Sequence, residues 1–179
     1  MQPFGLNFDR QTATLSGAEH VVVRRVRDLL DVFGDAPENS LDRPVYEVFS
    51  ARQVSAAEEL HVGTCVIHPG HIGNFYHMTR GHRHVVPRGE LYVGISGEGV
   101  LVMQNEETGE CRVEQIAADV IVYVPPRWAH RHINTGTAQL VTLFSVAADA
   151  GHDYEFVQRS PFNFAVEVTS QGPRVVRVR

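Results

Sequence analysis

Cysteine is scarce in this sequence: its 179 residues include only Cys65 and Cys111. The two do not form a CxxC pair, and so few cysteines in a chain of this length exclude a disulfide scaffold. Free thiols in a reducing compartment are expected. No apolar run approaches the roughly 20 residues of a membrane-spanning helix. The opening MQPFGLNFDR lacks the basic stretch and apolar run of a secretory signal. A soluble cytoplasmic protein, with no membrane partner, is expected. Positive charge is not in excess, since the formal net charge is −5. That balance argues against a nucleic-acid partner, which calls for a basic face. It still admits an anionic small molecule, because a few local cations or a metal override a modest global charge. GxGxxG after a strand, the P-loop and GxSxG are all missing, so no nucleotide or serine-hydrolase signature is present. No repeat, low-complexity tract or linker divides the chain.

What is present is enough apolar material for a core, 43% of residues, in a chain whose length fits one domain. Residues 1–20 read as an arm with short extended pieces. VVVRRVRDLLDVFGD (21–35) is the best helix candidate, with Val22, Val26, Leu29, Leu30 and Phe33 at spacings of three and four and Gly34 to close it. APENSLDRP (36–44) reads as a loop. From residue 44 the texture changes to short apolar runs between Gly, Pro, Asn and Asp. VYEVFS (45–50), GTCVIHPG (63–70), ELYVGIS (90–96), VLVMQN (100–105), CRVEQI (111–116), VIVYVP (120–125) and LVTLFSVA (140–147) read as strands. GEG (97–99) and ETG (107–109) look like hairpin turns, and Pro125–Pro126 stop a strand. The tail TSQGPRVVRVR (169–179) predicts a solvated edge strand. Many short strands predict an all-β sandwich or barrel, with an N-terminal arm and short helix over 1–43 and the barrel over 44–179.

One constellation carries chemistry. In an extended strand His82 and His84 point to one side and Arg83 to the other. VVPRG (85–89) supplies a turn, so a hairpin brings Glu90 across from the pair. Glu90, Tyr92 and Gly94 then share one face, opposite Leu91, Val93 and Ile95. A fourth ligand must come from a distant strand, and PPRWAHRHINTG (125–136) offers His130 and His132. Three imidazoles and a carboxylate suit a borderline divalent ion: Fe, Mn, Ni, Zn or Co. His20, His61, His68, His71 and His77 read as ordinary loop or surface residues.

The order GHRH (81–84), Glu90, GEG (97–99), PPRWAH (125–130) resembles the two signature segments of the cupin superfamily, small jelly-roll β-barrels with a central metal. The likeness narrows further. YEVF (46–49), the PG at 69–70, TRGHRH (79–84), ELYV (90–93), VYVPPRWAHRHIN (122–134) and ADAGHDY (148–154) follow the order of the cupin-type glucose-6-phosphate isomerases. PFGLNFDRQTATLSGAEHVVVRRVRDL (3–29) is similar to that family's N-terminal region. The resemblance implies a cupin barrel holding one divalent transition metal ion per subunit, Fe, Mn, Ni or Zn, on His82, His84, Glu90 and His130. It implies phosphate contacts from Thr79 and Gly81, a sugar pocket lined by Tyr46, Tyr92, His152 and Tyr154, and catalysis by Glu90 and His152. It implies interconversion of glucose 6-phosphate and fructose 6-phosphate, with Glu90 as the proton shuttle of a cis-enediol route, a metal-held hydride shift being the other route. A homodimer is implied as well. The chain departs from the family at Cys65, where a threonine is usual, at Val146, where a tyrosine is usual, and in a loop before Glu90 one residue shorter. Those departures keep open another metal-cupin enzyme, such as a different sugar isomerase or an Fe(II) dioxygenase, and a non-catalytic sugar-phosphate-binding cupin.

Overall fold

β-branched and aromatic runs between turn residues make strands wherever one face can be buried. The computed structural model describes residues 2–10, 12–51, 58–159 and 161–178. Its strands are β1 (Asn7–Asp9), β2 (Thr14–Ser16), β3 (His20–Arg25), β4 (Pro44–Ser50), β5 (Leu60–Ile67), β6 (His71–Ile72), β7 (Phe75–Tyr76), β8 (Glu90–Ser96), β9 (Glu98–Asn105), β10 (Cys111–Ala117), β11 (Ile121–Val124), β12 (Trp128–Asn134), β13 (Leu140–Ala147), β14 (Phe164–Thr169) and β15 (Gly172–Arg177). Two short helices, α1 (Leu30–Phe33) and α2 (Tyr154–Arg159), complete it, with 3₁₀ turns at Val26–Leu29 and Glu38–Ser40. None of these helices is long and apolar enough to cross a membrane.

A six-stranded sheet runs β11-β8-β13-β5-β4-β3, and a three-stranded sheet runs β10-β9-β12. The chain alternates between them, so the strands between residues 90 and 147 interleave as in a jelly roll. Leu101, Ile116, Val124, Ile133 and Leu140 from both sheets fill one core. The β14–β15 hairpin extends β6–β7 into a further sheet with β15 at its edge, as the tail's charge pattern predicts. The fold is that of an all-β cupin.

Three expectations need correction. The helix predicted over 21–35 is a strand followed by tight turns. Val21, Val22 and Val23 pair with Phe49, Val48 and Glu47 of β4, because stiff β-branched side chains fit a ladder better than a helix. Only Val26, Leu29 and Phe33 keep the helical spacing, and they turn inward as buried residues. GEG is not a hairpin turn: β8 pairs with β11 and β13, and β9 with β10 and β12. The segment is a corner between sheets. Gly97 there has φ +76, and a Cβ on it would meet the Gln139 carbonyl at 2.2 Å. Residues 82–84 form no hairpin with β8 either; His82 bridges His130 of β12, and Glu90 approaches from the facing sheet. The ETG turn does close the β9–β10 hairpin, through the Gly109 N–H donating to the Asn105 carbonyl at 3.0 Å.

His77 is not a surface residue. It is fully buried, and its Nδ1–H donates to the His68 carbonyl at 3.1 Å. Its ring packs on Gly70, where a Cβ would come within 3.0 Å of the ring. Burial, aided by nearby Arg43, pushes its pKa down to about 4. The folded state therefore takes up a proton on His77 less readily than the unfolded state, whose histidine titrates near 6.5. The stabilisation from His77 is complete above about pH 6.5 and is lost as pH falls towards 4. Urea unfolding of the wild type and His77→Gln at pH 7.5 and 5.0 should show the smaller acid-induced loss in the variant.

Candidate active site

Glu90 is a buried carboxylate, 3% exposed, at the start of β8 on the inner face of the larger sheet. Two histidines reach it across the barrel. His84 Nε2 lies 3.1 Å and His130 Nε2 3.0 Å from Glu90 Oε2. His82 completes the group, and one ligand atom from each of His82, His84, Glu90 and His130 lies within 4.8 Å of every other. The backbone explains the convergence. The reciprocal bridge between His82 and His130 sets those rings 4.4 Å apart, and strand parity turns His84 to the same side.

The tautomers matter next. His84 Nδ1 lies 2.8 Å from the Arg88 carbonyl, and His130 Nδ1 lies 3.3 Å from that of Trp128. A carbonyl only accepts, so each Nδ1 carries the hydrogen and each Nε2 lone pair aims at Glu90. Burial alone would push Glu90 up; an Nε2–H on His130 or His84 in its doubly protonated form would donate to the carboxylate and hold it well below the usual range, whereas the neutral tautomers leave no hydrogen between ring and carboxylate. Burial, with neighbouring His130, drives His82 well below the ordinary imidazole value, and its buried Nε2 lacks a hydrogen-bond partner among the described residues. Neutral imidazole lone pairs and an anionic carboxylate facing one point lack a positive centre between them. That donor set fits a divalent transition metal ion.

His82, Glu90 and His130 open onto a cavity of about 300 Å³. Tyr46, Thr79, Gly81, Tyr92, His152 and Tyr154, all expected in the sugar-phosphate pocket, line it. Tyr92 Oη lies 3.1 Å from His130 Nε2, and burial raises the Tyr92 pKa well above its usual value. Burial likewise raises Tyr46 and Tyr154 and lowers His152 to about 4, leaving its imidazole neutral near pH 7. The Thr79 hydroxyl accepts the His132 N–H at 3.1 Å, so its own hydrogen is directed elsewhere. Gly81 has φ +80 and packs against Arg131 and Phe162, where a Cβ would come within 3.1 Å of each. No other residue fits that turn without strain.

The sequence model of the glucose-6-phosphate isomerase family matches residues 23–175. The chain belongs to the cupin-type glucose-6-phosphate isomerase family. The Thermococcus kodakarensis glucose-6-phosphate isomerase is 39% identical over 167 residues, covering 90% of this chain and 87% of its own length. The protein of that name from Thermococcus litoralis is 37% identical, covering 98% of this chain and 94% of its own. That from Sinorhizobium medicae is 36% identical, covering 89% of this chain and 77% of its own. A solved structure of oxalate oxidase superposes with a TM-score of 0.52 at 14% identity, covering 66% of this chain and 58% of that one. At that identity the likeness is one of fold.

The cavity also holds residues that sequence reasoning did not assign to it, His132 having been offered only as a candidate metal ligand. Arg24 of β3, His61 of β5 and His132 of β12 line it. His61 was expected at the surface; instead its ring stands edge-on to Phe144 at 5.3 Å. His132 shares parity with His130, the one signal that marked it, and packs 4.2 Å from Tyr92. Cys65 also lines the cavity, its thiol pushed up to about 12 by burial and by Glu90. His68 pairs with Glu47 at 2.9 Å, and His71 is exposed. The side chain of His20 lies outside the described residues.

Removing one of the four donors leaves three, too few to complete a tetrahedral site. His82→Ala should reduce bound Mn²⁺ or Zn²⁺ by more than about tenfold, since losing even an outer-shell partner costs 10- to 100-fold. Metal analysis after gel filtration of both proteins checks this.

Proposed function

We propose that this protein interconverts glucose 6-phosphate and fructose 6-phosphate in the cytoplasm, using one divalent transition metal ion held by His82, His84, Glu90 and His130. The single observation that carries the reading is the convergence of those four side chains on one point at the wall of a sugar-sized cavity. Family membership supports the substrate. The bound ion would supply Lewis-acid stabilisation of the negative charge that develops on the sugar oxygens.

The protein's own groups do the rest. Thr79 donates its free hydroxyl hydrogen to the phosphate, and the Gly81 N–H joins it. Arg24 adds positive charge on the same wall, close enough to oppose the rise of the Tyr46 and Tyr154 pKa values. Tyr46, Tyr92 and Tyr154 orient the sugar hydroxyls. Glu90 takes the proton from C2 and returns it to C1. His152, neutral through burial, accepts the O2 hydroxyl proton and delivers one to O1. Every proton lost is regained, so the enzyme ends the cycle unchanged.

We also assign a homodimer to this chain, with the N-terminal segment 1–43 contributing to the contact and residues 44–179 forming the barrel. The outer face of the larger sheet supports this. The β1–β2 hairpin covers part of it, packing Phe8 and Ala13 against Val66 and Val141. On β8 and β11, beyond the hairpin, the face stays apolar and open, with Ile121 64%, Tyr123 58% and the adjacent Leu91 38% exposed. Contiguous apolar patches of this kind mark association surfaces. Sedimentation of Ile121→Arg should shift from dimer to monomer; a wild-type monomer would refute the assignment.

For the reaction, apoprotein reloaded separately with Fe²⁺, Mn²⁺, Ni²⁺ or Zn²⁺ should convert fructose 6-phosphate in a dehydrogenase-coupled assay. Glu90→Gln should lower kcat by about 100-fold or more, 100-fold being the lower end of the range for general-base catalysis, while changing metal content less. Full turnover at normal metal occupancy in that variant would remove Glu90 from proton transfer.

A further inference from the structure

Two arginines bracket His84, and two aspartates bracket His152. Arg83 lies between the metal-ligating histidines with its side chain turned away from them. Its Nε donates to Asp153 Oδ2 at 3.0 Å and its Nη1 donates to Glu106. Its guanidinium also covers the Phe156 ring at 4.7 Å. Arg88, whose carbonyl orients His84, grips Asp149 with two bonds at 3.0 and 2.7 Å. Main-chain bonds join the same two segments. Arg83 N–H donates to the Asp153 carbonyl at 3.4 Å, Asp153 N–H to the Arg83 carbonyl at 2.9 Å, and Val86 N–H to the Ala150 carbonyl at 2.9 Å.

Segments 82–88 and 149–154 are therefore laced together along their length. One carries two of the metal ligands. The other carries His152 and Tyr154, whose rings stack nearly parallel, with His152 only 4.4 Å from His82. Neither arginine and neither aspartate is among the residues lining the cavity. A lone surface ion pair would do little. A two-pronged arginine–carboxylate contact fixes orientation as well as distance; Arg88 makes one with Asp149 at one end of the backbone pairing, and at the other end Arg83 spans two carboxylates, Asp153 and Glu106.

We propose that Arg83 and Arg88, acting through Asp153 and Asp149, are positioning residues that couple metal occupancy to the placement of His152 and Tyr154. An ion that fixes His82 and His84 thereby fixes the wall against which the sugar sits. The inference rests on the metal-binding reading above, and it extends that reading to residues that touch neither metal nor substrate.

Asp153→Asn is a suitable probe. Asp153 Oδ1 accepts the Phe156 N–H at 3.0 Å at the start of α2, and asparagine caps a helix as well as aspartate does. The variant thus loses the charge facing Arg83 and keeps the cap. Arg88→Gln tests the other pair and carries the experiment if Asp153→Asn does not fold. Hydrogen–deuterium exchange is measured on the full chain with and without Mn²⁺. In the wild type, Mn²⁺ should slow exchange in both 82–90 and 149–155. In each variant, protection should persist in 82–90 and fall at least several-fold in 149–155. The KM for glucose 6-phosphate should rise about tenfold at unchanged Mn²⁺ content, since small displacements of positioned groups have large kinetic effects. Arg83→Lys, which keeps the charge, should recover part of the loss. Equal protection of 149–155 in wild type and variants would overturn the coupling, as would its absence from the wild type. A wild type that shows coupled protection yet no isomerase activity would remove the proposed reaction and leave the coupling standing.

Discussion

A carboxylate without water around it is among the costliest groups a fold can bury. Imidazoles close around Glu90, and backbone carbonyls hold the proton-bearing nitrogens of His84 and His130 outward. That arrangement leaves the burial uncompensated until a cation sits between them, since lone pairs face a negative group. Much of the architecture serves this one point. β8 brings the carboxylate, β12 brings His130, and the extended segment beside β12 brings His82 and His84, so no single sheet could build the site alone.

The alternation of the chain between two sheets is what makes such convergence possible. Each crossing needs a corner where the backbone passes close to a neighbour, and glycine occupies those places. A Cβ on Gly94 would sit 1.8 Å from the Ala117 carbonyl oxygen, and one on Gly99 would sit 2.3 Å from that of Ile133. Gly94 lies on β8 itself, a few residues from Glu90 and Tyr92, and Gly99 on β9, just past the corner. Close approach of strands and placement of the site are one requirement met by the same residues.

Much of this was legible in the sequence, and the reasons for the failures are physical. Strand spans such as ELYVGIS and LVTLFSVA follow from local patterning and agree with β8 and β13 residue for residue. The cluster of His82, His84, Glu90 and His130 was legible because three of its four members sit within nine residues, 82 to 90, where strand parity decides direction. The helix over 21–35 failed because two periodicities overlap there. Val21 to Val23 answer to β4, while Val26, Leu29 and Phe33 answer to the core. The GEG corner failed because turn chemistry says that the chain reverses and not which sheet it enters next. Arg24 and His61 reach the cavity from separate strands, and nothing local announces that; His132 alone carries a signal, its parity with His130. His77 is buried by the close approach of Gly70, a contact between turns that sequence spacing does not encode.

β8 has two working surfaces. Its inward side chains, Glu90 and Tyr92, belong to the site, while Leu91 and Val93 face outward on the open apolar wall. One peptide unit separates these duties. A substitution that re-seats Leu91 must rotate the same backbone that aims Glu90, so the exterior of this strand is not free to drift independently of the interior. Variation tolerated on other outward strands should be filtered here by chemistry, and a library that randomises positions 91 and 93 would lose activity without touching a ligand.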